Sequence, residues 1–365
     1  MVTNPYPITI VPGSIPSIIL EGFCKQGCIF TRLMKLHRNI KIFINYLLGP
    51  LLFVWLSWSI YRQIRNQPDL PGAWQQIKTS FNSPLIWNVV AVVGLMILNW
   101  SVEAIKWRLS VKVVQPVSFG KALKAVLSGV SFSVITPNRM GEYLGRVLYM
   151  NDGNRLRAIS LTVVGSISQL IVTILMGGIG LLVIHKELEA QQLITGIWLK
   201  TVLYGTMAVL IVLTLFYFRL SWLIKWVDRL PGSNRFAYLV RALEEFDATL
   251  LLRLLSLSLL RFGIFILQYY LLFRFFGVEL AWWQAFWAVS VSFLVMAVIP
   301  TFAIAELGLR GEVMLKLVSL FSANHLGIVF ATAGIWFINL IVPALAGSIL
   351  ILIIKKIYTR QDEKS

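Results

Sequence analysis

The chain is short of charge. Only 13% of its 365 residues are Asp, Glu, Lys or Arg, against about a quarter in an ordinary soluble domain. Roughly half of the usual solvated surface is missing, which excludes a soluble enzyme and a disordered tail protein. Cysteine is scarcer still. Cys24 and Cys28 are the two present, too few for a zinc site or a disulfide scaffold, and no functional role is expected of them. The histidines His37, His185 and His325 are too scattered for a metal cluster. The chain lacks a Gly-rich phosphate loop, a His-Glu-x-x-His motif and a Ser-centred elbow. No catalytic residue, metal or cofactor is therefore expected.

What is present is apolar surface. Hydrophobic residues make up 58% of the chain, with 13 Trp and 22 Phe, and mean hydropathy is +0.77. This composition reads as an all-α, polytopic membrane protein. A full span takes about 20 mainly apolar residues, and six stretches meet that length: 42–61, 84–103, 158–184, 197–218, 254–276 and 326–354. Two shorter stretches, 120–135 and 285–299, each end at a proline. A second, charged helix-like stretch follows each, 138–150 and 303–321. These pairs read as re-entrant helical hairpins with no net crossing.

That layout places both termini on one side. Residues 1–41, 104–157, 219–253 and 355–365 then carry 24 Lys and Arg, against 4 in the loops of the other side. By the positive-inside bias, both termini are expected to be cytoplasmic. The net charge of +17 is thus topology and not a nucleic-acid footprint. The 219–253 loop, with Leu-Pro-Gly at 230–232, reads as amphipathic, basic and too short for a catalytic domain. Residues 1–33 show neither a clear period nor the basic n-region of a signal peptide. A true start at Met34 is the expectation, with a short disordered tail as the alternative. Residues 34–354 form one transmembrane domain and 355–365 a cytoplasmic tail.

An internal repeat is visible. Phe119 to Pro137 is a small-residue-rich apolar stretch, followed by Asn138-Arg-Met-Gly-Glu142-Tyr-Leu-Gly-Arg146. Trp283 to Pro300 repeats the pattern, followed by Thr301-Phe-Ala-Ile-Ala-Glu306-Leu-Gly-Leu-Arg310. Three spans separate the copies, so the second enters from the opposite face. This predicts an inverted repeat with units around 84–184 and 254–354, an arrangement that supports alternating access.

Ionisable groups at membrane depth are costly and mark function. Glu142 and Arg146 are four residues apart and share a helix face, as do Glu306 and Arg310. Arg139 and Glu312 lie close by. Thr136 with Pro137 reads as an N-cap followed by proline at the first helical position, and Thr301 after Pro300 as a second cap. Half-helix N-termini beside arginines suit a phosphate. The candidate substrate-binding residues are Thr136, Pro137, Asn138, Arg139, Glu142, Arg146, Pro300, Thr301, Glu306 and Arg310, with Arg261 and Glu312 in support. Internal salt bridges that merely hold two hairpins together are the alternative. Gly141, Gly145 and Gly308 suit close helix approach. Arg261 calls for a partner, Glu103 or Glu306. Glu103, Lys106 and Arg108 read as anchors closing the second span. Gln169, Gln268 and Asn339 read as interhelical hydrogen bonds.

Ile135-Thr-Pro-Asn-Arg-Met-Gly-Glu-Tyr-Leu-Gly-Arg146 resembles the Thr-Pro-Gly-Arg-x-Gly-Glu stretch of the lysylphosphatidylglycerol synthase transmembrane region family. Ile299-Pro-Thr-Phe-Ala-Ile-Ala-Glu-Leu-Gly-Leu-Arg310 resembles that family's second proline-centred motif. The resemblance covers about 40–354. Asn138 stands where the family commonly has Gly, and Phe302 to Ala305 lacks its usual glycines. The resemblance implies a flippase-like bacterial plasma-membrane protein in stand-alone form, without the soluble aminoacyl-transferase domain. In the full-length synthases the membrane region is implied to flip the lysyl-lipid.

Three functions compete. The first is a lipid translocase binding a phospholipid or glycolipid headgroup, with membrane lipids as its partners and no nucleic acid. The second is an enzyme on a lipid-linked substrate, with Glu142 or Glu306 as general base. The third is a non-catalytic subunit of a membrane complex. Oligomeric state and any protein partner stay open.

Overall fold

The structure is a computed structural model that describes residues 58, 61–62, 65–66, 70–136, 140–219, 243, 246–299 and 303–362. All of them belong to one unit, Leu52–Ser365. Among the described residues every regular element is helical. Most of the 42–61 stretch, the 1–33 segment and most of the 219–253 loop lie outside the described residues.

Five stretches are long and apolar enough to cross a membrane: α2 (Ile86–Val111), α5 (Arg155–Val183), α7 (Gly196–Phe218), α8 (Ala248–Phe275) and the run His325–Leu352. They coincide with five of the six expected spans. The last run is α11 (His325–Trp336), a π-helical turn (Phe337–Ile341) and α12 (Val342–Asp362). The shorter helices are α1 (Leu70–Phe81), α3 (Phe119–Ile135), α4 (Gly141–Val147), α6 (His185–Ala190), α9 (Trp282–Val298) and α10 (Ala303–Val318).

Polar side chains set several helix starts. Asp247 Oδ1 accepts the Leu250 N–H at 2.7 Å to open α8. Asn324 Oδ1 accepts the Gly327 N–H at 2.9 Å to open α11, while its Nδ2 donates to the Phe276 and Gly277 carbonyls at 3.1 and 2.9 Å. One asparagine thus caps a helix and ties it to the end of α8. Gly277 sits at φ +68°, a left-handed conformation that glycine adopts without strain.

The short helices pack as hairpins. α4 folds back onto α3, and α10 onto α9. Each hairpin also meets a distant span: α3 packs along α12, and α9 along α5. Close backbone approach makes these contacts. A Cβ on Gly145 would run into the Gly129 backbone, and one on Gly347 into the Leu127 carbonyl. Gly177 stands in the same relation to Leu294 and Ser290. Small residues let helix backbones approach where lipid is as apolar as the side chains. Hydroxyls reinforce the contacts, with Ser131 Oγ donating to the Ala344 carbonyl at 2.6 Å and Ser168 bonded to Ser258 at 2.8 Å. The apolar core runs through α5, α8, α9, α10 and α11, with a second cluster among α2, α3 and α12. α7 is peripheral and nearly bare of buried residues, in keeping with lipid contact along its length.

Gly145→Ala and Gly347→Ala are each expected to cost about 1–3 kcal/mol through overpacking. Gly94→Ala and Gly205→Ala, where a Cβ meets nothing, are expected to cost no stability. Thermal melting in detergent, read by size exclusion, checks this, and equal midpoints for all four would refute the close approach.

Candidate functional site

The ionisable residues of the membrane region converge. On α2, Asn99, Glu103 and Lys106 follow at i, i+4 and i+7 and so share one face. Arg261 stands near the midpoint of α8, far from either end of the helix. It therefore has no aqueous end to reach and must be paired in place. Its Nε donates to Asn99 Oδ1 at 2.8 Å, and its terminal nitrogen pairs with Glu103 Oε2. Lys106 Nζ reaches Glu103 Oε2 at 2.9 Å and Ser258 Oγ at 3.4 Å. Arg146, carried in by α4, meets Glu103 Oε1 at 2.8 Å and Glu142 at 3.1 Å. Glu103 thus holds three cations from three helices, and all four groups are buried. The Arg261 guanidinium also lies 5.7 Å from the Trp100 ring centre, within cation–π range.

The second pair lies on α10. Arg310 donates to Glu306 Oε1 at 2.6 Å and faces Tyr269 of α8.

Both pairs open onto one cavity of about 730 Å³. Its walls include Glu103, Lys106, Glu142, Arg146, Arg261, Glu306 and Arg310. Four cations therefore face three carboxylates. Ser166, Gln169 and Thr173 of α5, the indoles of Trp100 and Trp336 and the π-turn residue Asn339 add to the polar lining, and Phe262, Phe265 and Phe293 supply apolar wall. The volume is in the range of small-molecule sites. Val298 and Ile299 are exposed apolar members of the lining, Val298 at 75%.

The π turn has a local cause. Pro343 has no N–H and its ring crowds the carbonyl four residues back, that of Asn339. The Val342 N–H donates to Phe337, five residues back. The widened turn presents Asn339 to the cavity, and such turns recur at functional sites.

Of the residues singled out from the sequence, Glu142, Arg146, Glu306, Arg310 and Arg261 come together on this cavity. Pro137, Asn138, Arg139, Pro300 and Thr301 lie outside the described residues. Thr136 does not cap the second half-helix from the expected position, because α4 begins only at Gly141. It caps the end of α3 instead, donating to the Phe132 carbonyl at 3.0 Å and accepting the Gly141 N–H at 2.7 Å. Glu312 is not on the cavity either. It pairs along its own helix with the exposed Lys316 at 3.5 Å.

The anchor reading of Glu103 and Lys106 is corrected. α2 continues to Val111, so both residues are inside the bundle, where their charges find partners. Arg108 does stay outside the cavity, its Nε donating to the Val117 carbonyl at 3.0 Å. Gln268 bonds across helices to the Val92 carbonyl at 2.9 Å, and Gln169 to that of Ser258 at 3.4 Å, as expected. Asn339 bonds within its own helix, to Ile335 at 3.3 Å, and was missed as a cavity residue. Pro343 four positions later is the sequence signal that would have found it.

The molecule is a multi-pass α-helical membrane protein with a charged cavity to which both helical hairpins contribute. The chain belongs to the lysylphosphatidylglycerol synthase TM region family, whose model matches residues 44–347. No curated protein matches it in sequence.

Removing Glu103 takes a carboxylate from three buried cations, of which, among the described residues, Arg146 alone keeps a second one in Glu142, whereas the Glu142 side chain is 24% exposed. Breaking a buried pair costs about 3–5 kcal/mol. Glu103→Gln is therefore expected to be the most destabilising neutralisation in the cavity, with Glu142→Gln well below it. The double variant Glu103→Leu/Arg261→Leu is expected to recover part of the loss. A melting series in one detergent checks the order, and additive losses in the double variant would count against direct pairing.

Proposed function

We propose that the protein is a lipid translocase, not an enzyme, and that its cavity takes the polar headgroup of a membrane lipid. The observation that carries this reading is the meeting of the two Glu-x-x-x-Arg pairs, 164 residues apart in sequence from Glu142 to Glu306, on one cavity. A scaffold of salt bridges needs no cavity between its members. The surplus cation suits a phosphate, and the exposed apolar Val298 suits an acyl chain trailing outside while the headgroup sits within.

The inverted repeat belongs to the same proposal. The units around 84–184 and 254–354 would match α2 with α8, α3 with α9, α4 with α10, and α5 with α11 and α12. What supports it is the exchange in packing: the first helix of each hairpin lies against the last span of the other unit. Such pseudo-symmetry lets one site face either side in turn. We further place the protein in a bacterial plasma membrane with both termini cytoplasmic, on the strength of the family and the Lys/Arg partition.

Purified protein in proteoliposomes is expected to accelerate transbilayer movement of an anionic phospholipid. Arg146→Ala and Arg310→Ala are each expected to reduce the rate at least tenfold, and Glu142→Gln and Glu306→Gln by a smaller factor. A headgroup-resolved scrambling assay on folded variants reads this directly. Movement at wild-type rate in both arginine variants would remove the cavity from the path.

A further inference from the structure

The charged part of the cavity disfavours an ammonium, because four cations face three carboxylates there. Glu103 is engaged by three cations, Glu142 by Arg146 and Glu306 by Arg310. A headgroup amine would have to enter a site where cations already outnumber carboxylates. Each carboxylate already holds an arginine, so an ammonium beside it would lie close to like charge in a surrounding that screens it poorly.

The uncharged part asks for something specific. Trp100 Nε1, Trp336 Nε1, Gln169 Oε1 and Asn339 Oδ1 are buried polar atoms without a hydrogen-bond partner among the described residues, and all four residues line the cavity. Trp100 and Asn339 are 6% and 7% exposed. The amide orientations are set by their other ends, since Asn339 Nδ2 donates to Ile335 and Gln169 Nε2 to Ser258. The lining therefore presents indole N–H donors and amide oxygen acceptors together. An ammonium donates only and cannot serve the indoles. A phosphate oxygen accepts only and cannot serve the amides, and a headgroup carrying both would set its ammonium among the four cations of the lining. A hydroxyl does both. Arg146 Nε and Arg310 Nε on the same lining are also without a partner among the described residues and suit the phosphate oxygens; buried polar atoms are ordinarily satisfied, so the indoles and amides define the rest of the missing partner by its chemistry.

We infer that the cavity selects a lipid whose single phosphodiester carries a neutral, polyhydroxylated headgroup, and discriminates against amine-bearing headgroups. This rests on the proposed headgroup site and specifies its substrate class. It differs from the aminoacylated headgroup that the family resemblance implies. A glycerol and a cyclic polyol share the required chemistry.

The test is lipid binding to purified full-length protein in detergent, read by native mass spectrometry. Four probes with identical acyl chains are compared: phosphatidylmethanol, phosphatidylglycerol, phosphatidylinositol and phosphatidylethanolamine. Phosphatidylmethanol keeps the phosphodiester and lacks every hydroxyl. At least one of the two hydroxylated lipids is expected to bind tenfold or more tighter than phosphatidylmethanol, and phosphatidylethanolamine weakest of all. Which of the two leads distinguishes glycerol from a ring polyol. Asn339→Leu and Trp336→Phe are each expected to narrow the ratio of hydroxylated lipid to phosphatidylmethanol at least threefold. Trp336→Phe keeps the aromatic packing should Asn339→Leu misfold. Equal binding of all anionic probes, tighter binding of phosphatidylethanolamine, or an unchanged ratio in folded variants would overturn the inference while leaving a headgroup site standing. Binding of no probe, or binding indifferent to Arg146→Ala and Arg310→Ala, would overturn the translocase reading with it.

Discussion

A carboxylate that has left water stays ionised only if positive charge is brought to it, and Glu103 is where this chain satisfies that condition. Its two oxygens meet Lys106 one turn along α2, Arg261 from α8 and Arg146 from α4. The cations need it as much as it needs them. Arg261, near the middle of a span, has no route to an aqueous interface. The cluster therefore fixes where α8 stands against α2, and where the first hairpin stands against both. Asn99, Ser258 and the Trp100 ring take up directions that the carboxylate leaves unserved. The arrangement is expensive in desolvation, so it is better understood as specifying position than as adding stability.

A second constraint acts on the backbone. Irregular chain at membrane depth is tolerated where it lies inside protein or lines a cavity. Regular helix is interrupted between α3 and α4, between α9 and α10, and at the π turn 337–341. The Thr136 hydroxyl shows how one interruption is made good, because it accepts the first N–H of α4 and donates into the last turn of α3. The π turn keeps its own hydrogen bonds by stretching them, and in doing so brings Asn339 to the site. At the π turn the interrupted helix and the charged pairs meet on the same cavity.

Five of the six spans, and the pairing of the short helices, were legible because hydropathy and proline breaks are signals along a single dimension. The Glu142–Arg146 and Glu306–Arg310 pairs were legible for the same reason, since each is complete within one helical turn. Glu103 and Lys106 were not. A span read by hydropathy ends at the first cluster of charges, whereas α2 runs on to Val111 because those charges meet Arg261 and Arg146 from elsewhere in the chain. Arg261 carried half of the signal, since an arginine deep in a span requires a carboxylate and Glu103 was one of two named for it. Glu312 misled because nearness in sequence to Arg310 does not place it on the same face, and its helical neighbour Lys316 claims it. Asn339 gave no sign as a lone polar residue, and only the backbone consequence of Pro343 distinguishes it.

The two arginines of the shared motif are not held alike, and this bears on how the proposed translocase would move. Arg146 is held by Glu142 in its own helix and by Glu103 outside it. Arg310 is held by Glu306 in its own helix, and the group it faces on α8 is the phenol of Tyr269. Withdrawing an arginine from a phenol gives up a contact with a neutral group. Withdrawing Arg146 from Glu103 separates opposite charges in an apolar surrounding, at a cost of several kcal/mol unless another anion replaces the carboxylate. A lipid phosphate entering the cavity is an anion of the right kind, and Arg146 already faces the space it would occupy. On this reading the substrate's own charge does what thermal motion cannot: it frees the first hairpin from α2 only when a headgroup is present. Coupling of that sort requires differential affinity for the two arrangements, and an arginine shared between a fixed carboxylate and a mobile phosphate supplies it.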